Sequence, residues 1–114
     1  MITKTLIPSR AAASETVTGN VFNIHMPKSN RGIVQMTSTS GHTSGNIVLT
    51  LQGRLSADMD FVDVDSSSIT LSAAGTDAKE DIQLFPEMRA KVVCGTAEST
   101  TYIVQLGCWF FVFV

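Results

Sequence analysis

The stretch GNIVLTLQGR, residues 45–54, alternates Ile47, Leu49 and Leu51 with Val48, Thr50 and Gln52. Successive side chains of a strand point to opposite faces, so this period of two predicts a strand with one apolar and one mixed face. The same alternation recurs toward the end of the chain. Ile69 with Leu71, Ile82 with Leu84, Met88 with Ala90 and Val92, and Tyr102 with Val104 and Leu106 each form an inward row. Gly32–Thr39 predicts a further strand, and Thr16–His25 another, bent at Gly19-Asn20. Phe61–Asp65 predicts a short strand with Val62 and Val64 on one side.

Turn chemistry separates these runs. Met26–Gly32, Ser40–Gly45, Leu55–Asp60, Ser66–Ser68, Ala74–Lys79 and Gly95–Ser99 read as loops or turns. Pro86 ends the Glu80–Phe85 strand, because proline cannot donate to a ladder. No helix is convincing. About eight short strands, with turns every ~8–12 residues, predict an all-β chain. The expected fold is a single-domain antiparallel β-sandwich or jelly-roll-like barrel spanning 16–114. Residues 1–15 read as an N-terminal arm, in which Ala11–Glu15 fits one helical turn or an extended segment equally well.

The end of the chain breaks the alternation. Cys108–Val114 (CWFFVFV) holds the only Trp and three of the six Phe, and both of its faces are apolar. Three placements remain open: a strand covered by the core and a neighbouring subunit, a tail docked on a partner, or burial within one chain. Exposure would leave an apolar patch larger than soluble proteins usually carry. Trp109, Phe110, Phe111 and Phe113, with Ile2, Leu6 and Ile7 of the arm, are therefore the candidate interface residues.

Composition narrows the picture. The 114 residues fit one domain. Only 16% are charged, against roughly 25% in ordinary domains, while there are 12 Ser and 13 Thr, so the surface is neutral and suited to packing against other proteins. The net charge of -2 and eight scattered basic residues argue against a nucleic-acid partner, which requires clustered Lys and Arg. The start MITKTLIPSR has no apolar run of a leader, and Cys108–Val114 falls far short of the ~20 residues of a membrane helix. No membrane partner is expected. Cys94 and Cys108 are expected as two buried, reduced thiols rather than a bridge.

Candidate chemistry is sparse. Asp58, Asp60, Asp63 and Asp65 cluster, but Val62 stands where a calcium loop needs a third ligand and no glycine follows at the turn position. A solvated turn explains them. His25 and His42 each lie beside turn residues and are expected at the surface or a sheet edge. There is no Gly-x-Ser-x-Gly elbow and no phosphate-cradling loop. The expectation is no enzyme activity, no catalytic residue, no metal and no cofactor.

The run GNIVLTLQGRLSADMDFVDVDSS, with EDIQLFPEMRAKVV and TTYIVQLG, resembles small β-sandwich proteins encoded among the structural genes of tailed bacteriophages. The matching positions are Leu51–Leu55, Phe61–Val64, Phe85–Arg89 and Thr100–Leu106, within a span from Gly45 to Gly107. The chain departs from the pattern at Ala57-Asp58-Met59, where an Asp-Gly turn is usual. The resemblance implies a virion component assembled in the host cytoplasm. The favoured post is a capsid cement or decoration protein that self-associates, commonly as a trimer, and bridges major capsid protein subunits. A tail, neck or fibre-base protein is the runner-up. A carbohydrate-binding sandwich is the reading from another class, for which Tyr102 would be the surface aromatic to test.

Overall fold

Alternation decides which side of each strand is covered. The computed structural model of the chain describes residues 2–25, 31–39, 41–42, 45–95, 100–108 and 112–113. Its strands are β1 (Ile2–Ala11), β2 (Thr16–Thr18), β3 (Phe22–His25), β4 (Arg31–Ser38), β5 (Ile47–Arg54) and β6 (Val62–Asp63). They continue as β7 (Ile69–Leu71), β8 (Gly75–Gln83), β9 (Glu87–Cys94), β10 (Thr101–Cys108) and β11 (Val112–Phe113). Ile47, Leu49 and Leu51 of β5 are buried, as are Met88, Ala90 and Val92 of β9 and Tyr102, Val104 and Leu106 of β10. Ile69, Leu71, Ile82 and Leu84 are buried too. Each large aliphatic side chain removed from water in this way contributes about 1.5–3 kcal/mol. Among the described residues there is no helix, and hence none long and apolar enough to cross a membrane.

The strands form two antiparallel sheets. One has the order β1-β10-β4-β8; the other runs β11-β3-β9-β5-β6, with β2 also on β9 and β7 also on β5. Here β2 and β3 are two halves of one column beside β9, interrupted at Gly19–Val21. Likewise β6 and β7 are two halves of one column beside β5. Counted by columns, the chain pairs its first with its eighth (β1·β10), its second with its seventh (β2/β3·β9), its third with its sixth (β4·β8) and its fourth with its fifth (β5·β6/β7), and β11 adds to β3 at the edge. That is one long antiparallel hairpin rolled up, so that β10 also meets β4 and β9 also meets β5. The sandwich is therefore a jelly roll, an architecture that leaves few free edges. Its core is the shared inner face of the two sheets.

Several expectations are corrected. The arm expected over 1–15 is largely strand: Ile2–Ala11 is the ten-residue β1, hydrogen-bonded along β10. The amide of Ala12 continues this by donating to the carbonyl of Thr100 at 3.0 Å, and no helical turn forms at Ala11–Glu15. Leu6 and Ile7 are both buried, which simple alternation forbids. The register slips between Thr5 and Ile7, so a β-bulge turns two successive side chains inward. Val62 and Val64 do not share an environment: Val62 is 53% exposed and Val64 is buried. Of Ala74–Lys79, expected as a loop, all but Ala74 belongs to β8. His42 is buried rather than at the surface.

Cys94 and Cys108 are both buried and unbridged. Burial pushes the Cys108 thiol up from the ordinary 9.0 to about 12, and burial, then Cys94, pushes the Tyr102 hydroxyl up as well. In the unfolded chain Cys108 loses its proton near pH 9, whereas the folded chain holds it to about 12. Its contribution is thus intact below pH 9 and is lost as the pH rises to about 12, at about 1.4 kcal/mol per pH unit. Denaturant midpoints measured at pH 7, 9 and 10.5 are expected to fall steeply only in the last interval. Cys108→Ala should flatten that fall, and an unchanged slope would contradict the assignment.

Candidate interaction face

The two sheets expose chemically different outer faces. On the larger sheet, cross-strand register places Asp63, Gln52 and Arg89 in one row, Arg54 beside Glu87 in the next, and Thr50, Lys91 and Thr18 in another. Arg54 is tied to Glu87, and Arg89 to Asp63 through Gln52. Arg54 donates to Oε1 of Glu87 from Nε at 3.1 Å and Nη2 at 2.8 Å. Arg89 Nε donates to Gln52 Oε1 at 2.9 Å, and Gln52 Nε2 donates to Asp63 Oδ1 at 3.0 Å. The guanidinium carbons of Arg54 and Arg89 lie 4.3 and 4.0 Å from the centroid of the Phe61 ring. Each such contact is worth about 0.5–1 kcal/mol at an exposed site.

The four-stranded sheet differs. Residues directly opposite each other in an antiparallel ladder share a face. The outer rows here are Thr3–Gly107–Ile33, then Thr5–Gln105–Gln35–Ala78, then Ile103–Thr37–Thr76, with Thr101 beyond. None of these residues is charged. The hydroxyls and amides bond across strands: Thr37 Oγ1 to Thr76 Oγ1 at 2.9 Å, and Gln105 Nε2 donating to Thr5 Oγ1 at 3.4 Å. Gly107 lacks a side chain and leaves a shallow depression lined by Thr3, Ile33, Gln35 and Gln105. Arg31, paired with Asp81 at 3.5 Å, and Glu80 stand beside Ile33 at the rim, the one charged corner of this face among the described residues. The charge deficit legible in composition is thus concentrated on one pleated face.

Three of the four motif segments of the resemblance meet at one end of the larger sheet, while Thr100–Leu106, from Thr101 on, lies on β10 of the other. Gly53 lies opposite Met88 and Val62, and Arg54 lies opposite Glu87. Phe85 packs on Gly53 so closely that an added Cβ would stand 2.5 Å from its Cγ. The Leu-x-Gly, Phe-Val-Asp and Phe-Pro-x-Met-Arg segments are therefore a packing unit, whose outer surface is the Arg54–Phe61–Arg89 cluster.

Of the candidate interface residues, Leu6 and Ile7 lie in the chain's own core, so their apolar area is not available to a partner. Ile2 pairs through its backbone with Cys108, and Phe113 with Ile24. Trp109, Phe110 and Phe111 lie outside the described residues. Asp58, Asp60, Asp63 and Asp65 are exposed, and among the described residues no group of three His, Cys, Asp or Glu is placed to hold a metal ion. Tyr102 is 1% exposed, so it is not a surface platform; its hydroxyl has no hydrogen-bond partner among the described residues.

His42, expected at the surface or a sheet edge, instead ties two loops together. Its Nε2 meets the carbonyl of Gly45 at 2.9 Å, which can only accept, so Nε2 carries the proton. Nδ1 lies 3.0 Å from the Ser38 hydroxyl, which also donates to the carbonyl of Ala73 at 3.1 Å, while the His42 carbonyl accepts from the amide of Ala74 at 3.1 Å. His42→Ala removes one of the two partners of the buried Ser38 hydroxyl, which keeps the Ala73 carbonyl, and takes the side-chain donor from the Gly45 carbonyl. It is expected to lower stability by about 2 kcal/mol in urea unfolding, and an effect under ~0.5 kcal/mol would show the tie to be incidental. The only sequence signal was a histidine within a Ser/Gly turn, which does not distinguish a latch from a solvated side chain.

No protein-family model matches the chain, and no curated protein matches it by sequence. Solved structures do match in fold. The crystal structure of the PBSX exported protein XepA superposes with a TM-score of 0.66 at 10% identity, covering 96% of this chain and 37% of that one. The crystal structure of PirA superposes with a TM-score of 0.55 at 13% identity, covering 91% of this chain and 94% of that one. The chain thus spans little more than a third of XepA. At these identities the likeness is one of fold.

Proposed function

We propose that the chain is a virion structural protein, in first place a capsid cement or decoration protein, that works by docking its uncharged four-stranded face on coat subunits. The uncharged face carries this reading. Burying charge without a partner is costly, and the cores of protein interfaces are depleted in charged residues. A surface of Thr, Gln and Ile meets another protein with no such cost. The face is small: four strands at about 4.8 Å and roughly six residues along them give on the order of 400 Å². That is about half of what one partner contributes to a standard interface. One copy binds weakly, and repetition along a lattice multiplies the contacts. Self-association, with the trimer as the expected form, serves the same end. The likeness of fold to a protein of the phage PBSX supports a virion setting. No catalytic step is proposed.

A sugar-binding role has less support. Tyr102 is buried, and Phe61 already has two guanidinium groups over its ring. The test is to purify virions from the source, count copies of the chain by quantitative mass spectrometry, and locate them by immunogold labelling. Many copies on the head are expected. Label at the tail or neck would move the assignment to the runner-up, and absence from virions would overturn both.

A further inference from the structure

We infer that strand β8 is a two-fold contact: two copies of this chain pair edge to edge, antiparallel, with Ala78 on the axis. The inference rests on the self-association in the reading above, but it concerns the free chain and is tested there.

Among the described residues β8 has only β4 beside it, so one side of its backbone is open. An open edge templates pairing with another strand unless charge, bulge or proline blunts it. The edge runs from Gly75 to the bend at Asp81, whose φ is +57°, and Ala78 is its midpoint. Within the chain, among the described residues, neither Asp77 nor Lys79 has an ion-pair partner. Asp77 Oδ1 instead accepts from the amide of Ala78 at 2.8 Å.

Symmetry selects the register. A two-fold axis perpendicular to the sheet keeps each side chain on its own face, so the axis must pass through a residue. Through Ala78, Asp77 faces Lys79 of the second copy and Lys79 faces its Asp77, while Thr76 faces Glu80. Two opposite-charge pairs form, and no like charges meet. Through Asp77 the axis sets Asp77 against itself. Through Lys79 it sets Lys79 against itself and Asp77 against Asp81. Through Glu80 it sets Glu80 against itself. Charge therefore admits the central register and disfavours its neighbours. The pairing joins two four-stranded sheets into one of eight. Thr76, Ala78 and Glu80 lie on the outer side, so the pairing also joins the two outer faces into one surface, with the Glu80 of each copy at the seam. A separate three-fold contact between copies is compatible with it.

Cross-linking of the full chain tests the axis directly, since Cys94 and Cys108 are buried and give little background. Ala78→Cys places a thiol against its own copy, whereas Thr76→Cys places one against Glu80. Under mild oxidation Ala78→Cys should form a covalent dimer at least tenfold faster than Thr76→Cys. Adding Asp77→Lys, which opposes two lysines, should suppress the dimer about tenfold, and adding Lys79→Asp as well should restore it. These positions are at the rim of the sheet, so folding is expected to persist and is checked by circular dichroism. Equal rates for the two cysteine variants, no dimer from either, no effect of Asp77→Lys, or no rescue by the double reversal would each overturn the contact. In the no-dimer case the charges of β8 act as guards against edge pairing. Success or failure here is independent of whether the chain is found in virions.

Discussion

Gly53→Ala is expected to destabilise the fold by about 3 kcal/mol, the upper end of the range for overpacking a core. The new Cβ would stand 2.5, 2.6 and 2.7 Å from Cγ, Cδ1 and Cβ of Phe85. These are the root of the side chain, not a flexible tip, so rotation of Phe85 relieves little. Either the Leu84–Pro86 segment lifts from β5 or the β5–β9 ladder yields near Met88, which lies opposite Gly53. Against a total of about 5–15 kcal/mol for a typical domain, that loss is large. Gly95→Ala is the control, because its added Cβ meets nothing nearer than the Asn46 carbonyl at 3.5 Å. Urea unfolding should show a lowered midpoint with an unchanged slope for Gly53→Ala and almost no shift for Gly95→Ala. Equal midpoints would mean that Phe85 does not sit on Gly53.

Thr37→Lys and Gln105→Lys are expected to leave folding intact while weakening attachment to coat shells at least tenfold each. Both positions lie on the outer face of the four-stranded sheet, one on β4 and one on β10, and are not directly opposite each other. A lysine there stays solvated in the free chain, so unfolding should shift by no more than about 0.5 kcal/mol. Docking would bury the new charge without a partner. That costs several kcal/mol, and every 1.4 kcal/mol is about tenfold in affinity. Thr50→Lys, on the already charged face of the larger sheet, is the matched control and should bind shells like the unaltered chain. Cosedimentation with shells reads the difference. If all three variants bound alike, the uncharged face would not be the docking surface.

How much of this was legible in the sequence depends on whether a strand has an inside. β5, β9 and β10 each put an apolar row in the core, so their period of two announced them. β8 did not. Gly75–Asp81 carries no large apolar side chain, because it lies at the sheet edge beyond the core, and it is held by backbone pairing with β4. β1 was obscured for a different reason: its bulge puts Leu6 and Ile7 on one side, and Pro8 reads as a break. A sandwich or jelly-roll-like barrel was expected, but the strand order was out of reach, since the pairing of β1 with β10 joins strands far apart in the chain. The uncharged face was visible only as a deficit of charge. Its location needed the cross-strand register, which aligns Gln35 with Gln105 and Thr37 with Ile103.

The claim on which the account depends is that this pleated, uncharged face meets neighbouring subunits. Hydroxyl-radical footprinting of the chain, free and bound to coat shells, tests it most directly. Met59 and Leu55, 52% and 63% exposed at the far end of the larger sheet, are internal reporters. On binding, oxidation of Ile33 and Ile103 is expected to fall severalfold while that of Leu55 and Met59 stays constant. Protection of Leu55 and Met59 with Ile33 and Ile103 unchanged would contradict it.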